Sequence, residues 1–124
     1  MDYALLSKLG IVKVVAHFSG GNDEGGVDEV KVTYADGTER ELDPALEYAG
    51  ADWGGEYEKK LLAEAQDGDV EIVKMAVAPV DDQYGSFAGE FYVSGTVEID
   101  VNAESTTMKK SETVEQYEES EVAL

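Results

Sequence analysis

The stretch of this chain best supplied with groups that could do chemistry is Ser19-Gly20-Gly21-Asn22-Asp23-Glu24-Gly25-Gly26, followed at once by Val27-Asp28-Glu29. Glycine pairs flank a run of oxygen-bearing side chains, so the backbone can turn tightly and bring carboxylates together. Two chemistries suit such a loop: oxygen ligation of a hard cation, and reception of a basic surface. The spacing does not match the D-x-[DN]-x-[DN]-G-x₅-E pattern of an EF-hand. A second acidic pair, Asp81-Asp82, offers oxygens in what reads as a turn-rich loop, Asp81 to Gly85. No metal ligand is assigned to either stretch, because Asp and Asn also satisfy turn backbones without a metal.

Enzymatic chemistry finds little to work with. The chain has no cysteine, which removes thiolate nucleophiles, disulfides and cysteine-based metal sites. His17 is the single histidine, and no partner for acid–base work is evident near it. No serine stands in a G-x-S-x-G context, and the glycine-rich segment leads toward a strand, not the helix that phosphate-binding loops require. The expectation is a non-enzymatic protein with no catalytic residue and no cofactor.

Charge is the stronger signal. Twenty-eight Asp and Glu stand against nine Lys and Arg, a formal net charge of −19 in 124 residues. Such a surface repels nucleic acid and anionic lipid, since affinity for phosphate rests on Lys and Arg. The partner it favours is the basic surface of a nucleic-acid-binding protein. Solubility alone is the simpler explanation of acidity. The sharper one is that the carboxylates imitate a phosphate backbone. Double-stranded DNA carries a charge every ~1.7 Å of axis, while alternate strand residues lie ~6.7 Å apart, so a mimic must combine several elements. The expected partner-binding residues are Asp23, Glu24, Asp28 and Glu29 of the loop region and Glu112, Glu115, Glu118 and Glu119 near the C-terminus. Trp53 and Tyr84 are the expected aromatic anchors, by the enrichment of these types at binding hot spots. Further acidic groups are Glu39, Glu41 and Asp43; Asp67, Asp69 and Glu71; and Glu98, Asp100 and Glu104.

The elements that must position these groups follow from periodicity. Tyr3 to Leu9 reads as a short amphipathic helix stopped by Gly10. Val12, Val14, Ala16 and Phe18 alternate with Lys13, Val15 and His17, the pattern of a half-buried strand. Val27 to Tyr34 is a second strand, Ala35-Asp36-Gly37 a hairpin turn, and Thr38 to Leu42 a short charged edge strand. Asp43-Pro44 starts a helical segment. A helix over about Glu56 to Gln66 is expected to bury Tyr57, Leu61, Leu62 and Ala65. Val70 to Val80 reads as a strand ended by Pro79. Phe87–Val93, Thr96–Val101 and Thr106–Val114 read as a meander turning at Ser94-Gly95 and Asn102-Ala103-Glu104. The glutamate-rich tail, about 115–124, is expected to be a fraying edge strand.

Together these elements predict one α+β domain over 1–124, with a mainly antiparallel sheet of about five to six strands, a short N-terminal helix and a central helical insert. No segment approaches the ~20 apolar residues of a membrane-spanning helix, so a cytoplasmic location is expected. Val14 to Val30 (VVAHFSGGNDEGGVDEV) and Asp81 to Val101 (DDQYGSFAGEFYVSGTVEIDV) resemble a family of short phage, plasmid and bacterial proteins with no assigned reaction. The resemblance implies a mobile-element context, in which small acidic proteins often inhibit host defence by nucleic-acid mimicry. An anti-CRISPR or anti-restriction inhibitor is thus the leading expectation. The alternative is a small divalent-metal-binding or housekeeping domain whose acidity serves solubility.

Overall fold

The computed structural model describes residues 2–21, 24–48, 55–66, 68–84, 92–113 and 117–123. Six strands form one antiparallel sheet: β1 (Ile11–Gly21), β2 (Glu24–Tyr34), β3 (Glu39–Leu42), β4 (Tyr92–Asp100), β5 (Ser105–Thr113) and β6 (Tyr117–Ala123). Their spatial order is β3-β2-β1-β4-β5-β6. Each half of the chain therefore supplies a three-stranded meander, and the two meet where β4 pairs with β1. The helices are α1 (Tyr3–Lys8), a 3₁₀ turn (Pro44–Tyr48), α2 (Glu56–Glu64) and α3 (Asp69–Tyr84). The architecture is α+β, with the helical insert between β3 and β4.

The alternation in β1 does what it predicts. Val14, Ala16 and Phe18 are buried, while Lys13 and His17 are exposed. On the same side of the sheet lie Val30 and Val32 of β2, Leu42 of β3, Val97 and Ile99 of β4 and Met108 of β5, all buried. This face is covered by α3, which contacts β2, β1 and β4, and by α1 against β1. Tyr3 of α1 also reaches across to β5, where its hydroxyl meets the buried Thr106 Oγ1 at 2.8 Å. On the opposite face Lys13, His17 and Asp100 are exposed and Val15, Thr96 and Glu98 half-exposed, as antiparallel sheets allow.

Local signals at the N-terminal meander behave as expected. Asp2 caps α1 by accepting from the Leu5 N–H at 3.0 Å, and Gly10 ends it at φ +78°. The hairpin between β2 and β3 closes on Gly37 at φ +88°, with Asp36 Oδ1 accepting from the Thr38 amide at 2.9 Å and from its hydroxyl at 2.6 Å. β3 is an edge strand, and β6 is the other.

Four expectations need correction. The glycine-rich segment is mostly strand: the β1–β2 ladder runs out to Gly20↔Gly25 and Gly21↔Glu24, so only Asn22 and Asp23 stand between the strands, and they lie outside the described residues. Val70–Val80 is helix, not strand; α3 runs through Pro79 and takes in Asp81–Tyr84, which the turn-rich reading had placed in a loop. Its buried residues Ile72, Val73, Ala76, Val77 and Val80 have helical spacing. Ser94-Gly95 is no turn but the interior of β4, and the Gly95 position is imposed by packing: a Cβ there would lie 2.1 Å from the Lys109 carbonyl oxygen and 2.9 Å from Phe18 Cζ. Leu61 of α2 and Ala65 just beyond it are half-buried, but Tyr57 and Leu62 are exposed, because α2 packs chiefly on the 3₁₀ turn.

Candidate functional site

The solvent face of the sheet is built by the residues that alternate with the core. Lys13, Val15 and His17 of β1 lie in register with Asp100, Glu98 and Thr96 of β4 on one side, and with Thr33, Lys31 and Glu29 of β2 on the other. Beyond β2, Lys31 is opposite Glu41 and Thr33 opposite Glu39. Carboxylates outnumber cations on this face, and two of them are partnered: Lys13 Nζ lies 3.3 Å from Glu98 Oε1, and Lys31 Nζ lies 2.6 Å from Glu39 Oε2. Glu39 holds the Lys31 ammonium above its ordinary pKa, first through that hydrogen bond and then through charge, with Glu29 and Glu41 adding to the field. His17 sits exposed among these groups, in register with Glu29 and Thr96.

Asp28 owes its position to a break in register. His17 pairs with Glu29 and Phe18 with Val27, so Asp28 is an extra residue on β2, a β-bulge. Its Oδ2 accepts a hydrogen bond from Ser19 Oγ at 2.7 Å. From this bulge two open grooves diverge. One, of about 370 Å³, is lined by Asp28, Glu29, Glu41, Leu42, Asp43 and Pro44. The other, of about 520 Å³, runs over the bare glycine backbone of β1 and β2 to Tyr92.

In the first groove the carboxylates come from β2, β3 and the segment entering the 3₁₀ turn. Asp43 Oδ1 accepts from the Ala45 amide at 2.9 Å, and its Oδ2 accepts from the Tyr57 hydroxyl, so this carboxylate is fixed in place. Among the described residues no ion pair is made by Asp28, Glu29, Glu41 or Asp43; the nearby Lys31 is paired with Glu39.

The expected partner-binding residues do not gather into one cluster. Asp28 and Glu29 are brought together and are joined by Glu41 and Asp43. For Glu24 only the backbone is described, at the end of β2; Asp23, Trp53 and Glu115 lie outside the described residues. Tyr84 is the last residue of α3, described in its backbone alone. Glu112 lies in β5, and Glu118 and Glu119 in β6, with Glu112 opposite Glu118 in register. Since β1 and β4 separate β2 from β5, and β5 in turn lies between them and β6, Glu112 stands about 14 Å and Glu118 and Glu119 about 19 Å from the strand of the Asp28 bulge at ~4.8 Å per strand.

Asp69 is also displaced from its expected place among the surface carboxylates. It is buried at 2% exposure and paired with Arg40. Tyr92, not among the expected partner-binding residues, is 56% exposed. The signal for it was present in the sequence only as a tyrosine whose register neighbour, Gly21, has no side chain to cover it.

Among the described residues, no group of three or more His, Asp or Glu side chains is arranged to hold a metal ion. Among those residues, no helix is long and apolar enough to cross a membrane. No family model, curated protein or solved structure matches the chain, so the resemblance to small mobile-element proteins rests on the quoted segments alone.

Proposed function

We propose that this chain is a non-enzymatic binding protein that offers its carboxylate-bearing sheet surface to a basic, nucleic-acid-binding groove of another protein. It acts in the cytoplasm of a bacterial cell as an inhibitor of the kind mobile elements direct against CRISPR or restriction proteins. The observation that carries this reading is the groove at the β2–β3 edge, where Asp28, Glu29, Glu41 and Asp43 converge without an ion-pair partner among the described residues. Converging like charges raise the local potential and are held on a sheet that needs no rearrangement to present them. The rest of the net charge of −19 supplies long-range attraction and fast, salt-sensitive association.

A second feature supports a role for charge beyond stability. Asp81 and Asp82 occupy the last turn of α3, where the helix dipole disfavours them, and no basic residue offsets them there. Acids needed only for solubility would be better placed elsewhere.

The test is co-purification from bacterial lysate at about 50 mM and about 500 mM salt, followed by displacement of the retained protein with duplex DNA or guide RNA. A variant combining Asp28→Asn, Glu29→Gln and Glu41→Gln is compared with one of equal charge, Glu56→Gln, Glu64→Gln and Glu104→Gln. The expected result is a nucleic-acid-binding partner released by salt and by nucleic acid, lost from the first variant and kept by the second. A partner indifferent to both variants, or none beyond what another acidic protein retains, overturns the proposal.

A further inference from the structure

We infer that the glycine-floored groove beside Tyr92 seats a single arginine side chain of the basic partner; this rests on the reading above and names the chemistry its partner must bring. Three observations meet in the groove. Its floor is the paired backbone of Gly20-Gly21 and Gly25-Gly26, which carries no side chains. Its wall on one side is Tyr92, which is 56% exposed although β4 is an interior strand paired on both sides. A tyrosine in that setting ordinarily packs on its cross-strand neighbour. Here that neighbour on β1 is Gly21, which offers the ring no side chain to lie on. The opposite wall carries Asp28, set at the bulge and tied by one oxygen to Ser19 at 2.7 Å.

The dimensions suit a planar cation. Tyr92 is level with Gly21, whereas the Asp28 carboxylate is held over Ser19, two residues along β1. One strand spacing across and two residues along set the Ser19 anchor roughly 8 Å from the Tyr92 backbone, with a phenol ring on one side and a carboxylate on the other. A guanidinium can stack on the ring while one edge donates to the carboxylate, and its aliphatic stem can lie along the glycine floor. An ammonium, compact and more strongly hydrated, gains the charge attraction but little from the ring. Next to this seat, across Asp28, the Glu29–Glu41–Asp43 groove lies ready for a following basic residue. The occupant is therefore an exposed arginine on a basic protein surface, the type of residue such proteins use to hold phosphate.

The probe is a pair of short capped peptides, Ac-Gly-Ser-Arg-Ser-Gly-NH₂ and its lysine counterpart, titrated into isotopically labelled protein at low salt while amide shifts are followed by NMR. The arginine peptide is expected to move the Gly20, Gly21, Gly26 and Tyr92 amides and to bind about three- to fivefold more tightly than the lysine peptide. Tyr92→Ala should abolish that preference and Tyr92→Phe should keep it, with thermal melting showing both variants folded. Asp28→Asn should weaken both peptides. Equal affinity for the two peptides, shifts spread over the whole sheet, or a Tyr92→Ala protein that still prefers arginine each overturn the assignment. None of those results touches the co-purification experiment, so an arginine seat can fail while the acidic-surface reading stands, and the reverse.

Discussion

Arg40, the single arginine in the chain, forms a two-pronged ion pair with the buried carboxylate of Asp69: Nη1 to Oδ1 at 3.3 Å and Nη2 to Oδ2 at 2.9 Å. The pair ties edge strand β3 to the first turn of α3. Arg40 Nη1 also donates to Tyr34 Oη at 2.8 Å and to Gln66 Oε1 at 3.2 Å, while the Gln66 amide donates to Asp69 Oδ2 at 2.9 Å. Asp69, joined by this hydrogen bonding, raises the guanidinium pKa further above its ordinary value despite partial burial. Removing either partner strands the other.

Arg40→Ala is accordingly expected to destabilise the fold by about 2–3 kcal/mol, at or below the low end for breaking a buried pair because the guanidinium is partly open to solvent. Arg40→Lys should recover only part of this, as an ammonium cannot make the forked contact. Urea denaturation of the variants gives the values, and a double-mutant cycle with Asp69→Ala should show a coupling of more than ~1 kcal/mol.

Gly95→Ala is expected to cost at least ~3 kcal/mol, beyond ordinary overpacking, since the new methyl would meet the backbone of β5 at Lys109 and the ring of Phe18. Shortening the ring by Phe18→Leu should not rescue it, because the carbonyl contact remains. Chemical denaturation of the single and double variants checks this.

Asp81→Asn is expected to stabilise the protein at neutral pH by ~0.3–0.5 kcal/mol, the scale of exposed charge at a helix end. Partial desolvation, followed by the neighbouring Asp82, raises the Asp81 carboxyl pKa. Folding thus favours its protonated form, so the wild type loses stability as pH rises past the unfolded value of ~3.9. The advantage of the asparagine variant should shrink below about pH 4. Thermal melts across pH measure it.

Asp36 has the opposite sign. Hydrogen bonds from the Thr38 side chain and then the Thr38 amide lower its pKa. Its contribution is present above the unfolded value of ~3.9 and is lost as pH falls through the lower folded value. Asp36→Ala should lower the melting temperature at pH 7, with the difference from wild type fading in acid.

What could be read from the chain was what local patterning encodes. The buried alternation of β1, the Asp36-Gly37 hairpin, the Asp2 and Gly10 helix ends and both edge strands needed only neighbours in sequence. The exception among local elements was α3: Val70, Ile72, Val73, Val77 and Val80 are β-branched, and composition masked a spacing that serves a helix equally well. The element is held by Asp69, whose arginine partner comes from edge strand β3. Gly95 read as a turn because its constraint, Phe18, lies across the sheet. The candidate site was half-legible for the same reason. Asp28 and Glu29 announced themselves by charge, but Glu41 and Asp43 join them only through the β2–β3 pairing, and the glycine set against Tyr92 comes from β1, far away in sequence.

The strand order has a consequence for how the chain finds this shape. β1–β2–β3 and β4–β5–β6 are each assembled from neighbouring hairpins, which close quickly and at small entropic cost. The single seam between them, Lys13↔Asp100 through Gly21↔Tyr92, must wait for the intervening helices to bring distant segments together. That closure is expected to set the rate of folding, and Phe18 against Gly95 lies inside it, so in stopped-flow experiments substitutions there are expected to slow folding while those at the Asp36 hairpin chiefly speed unfolding.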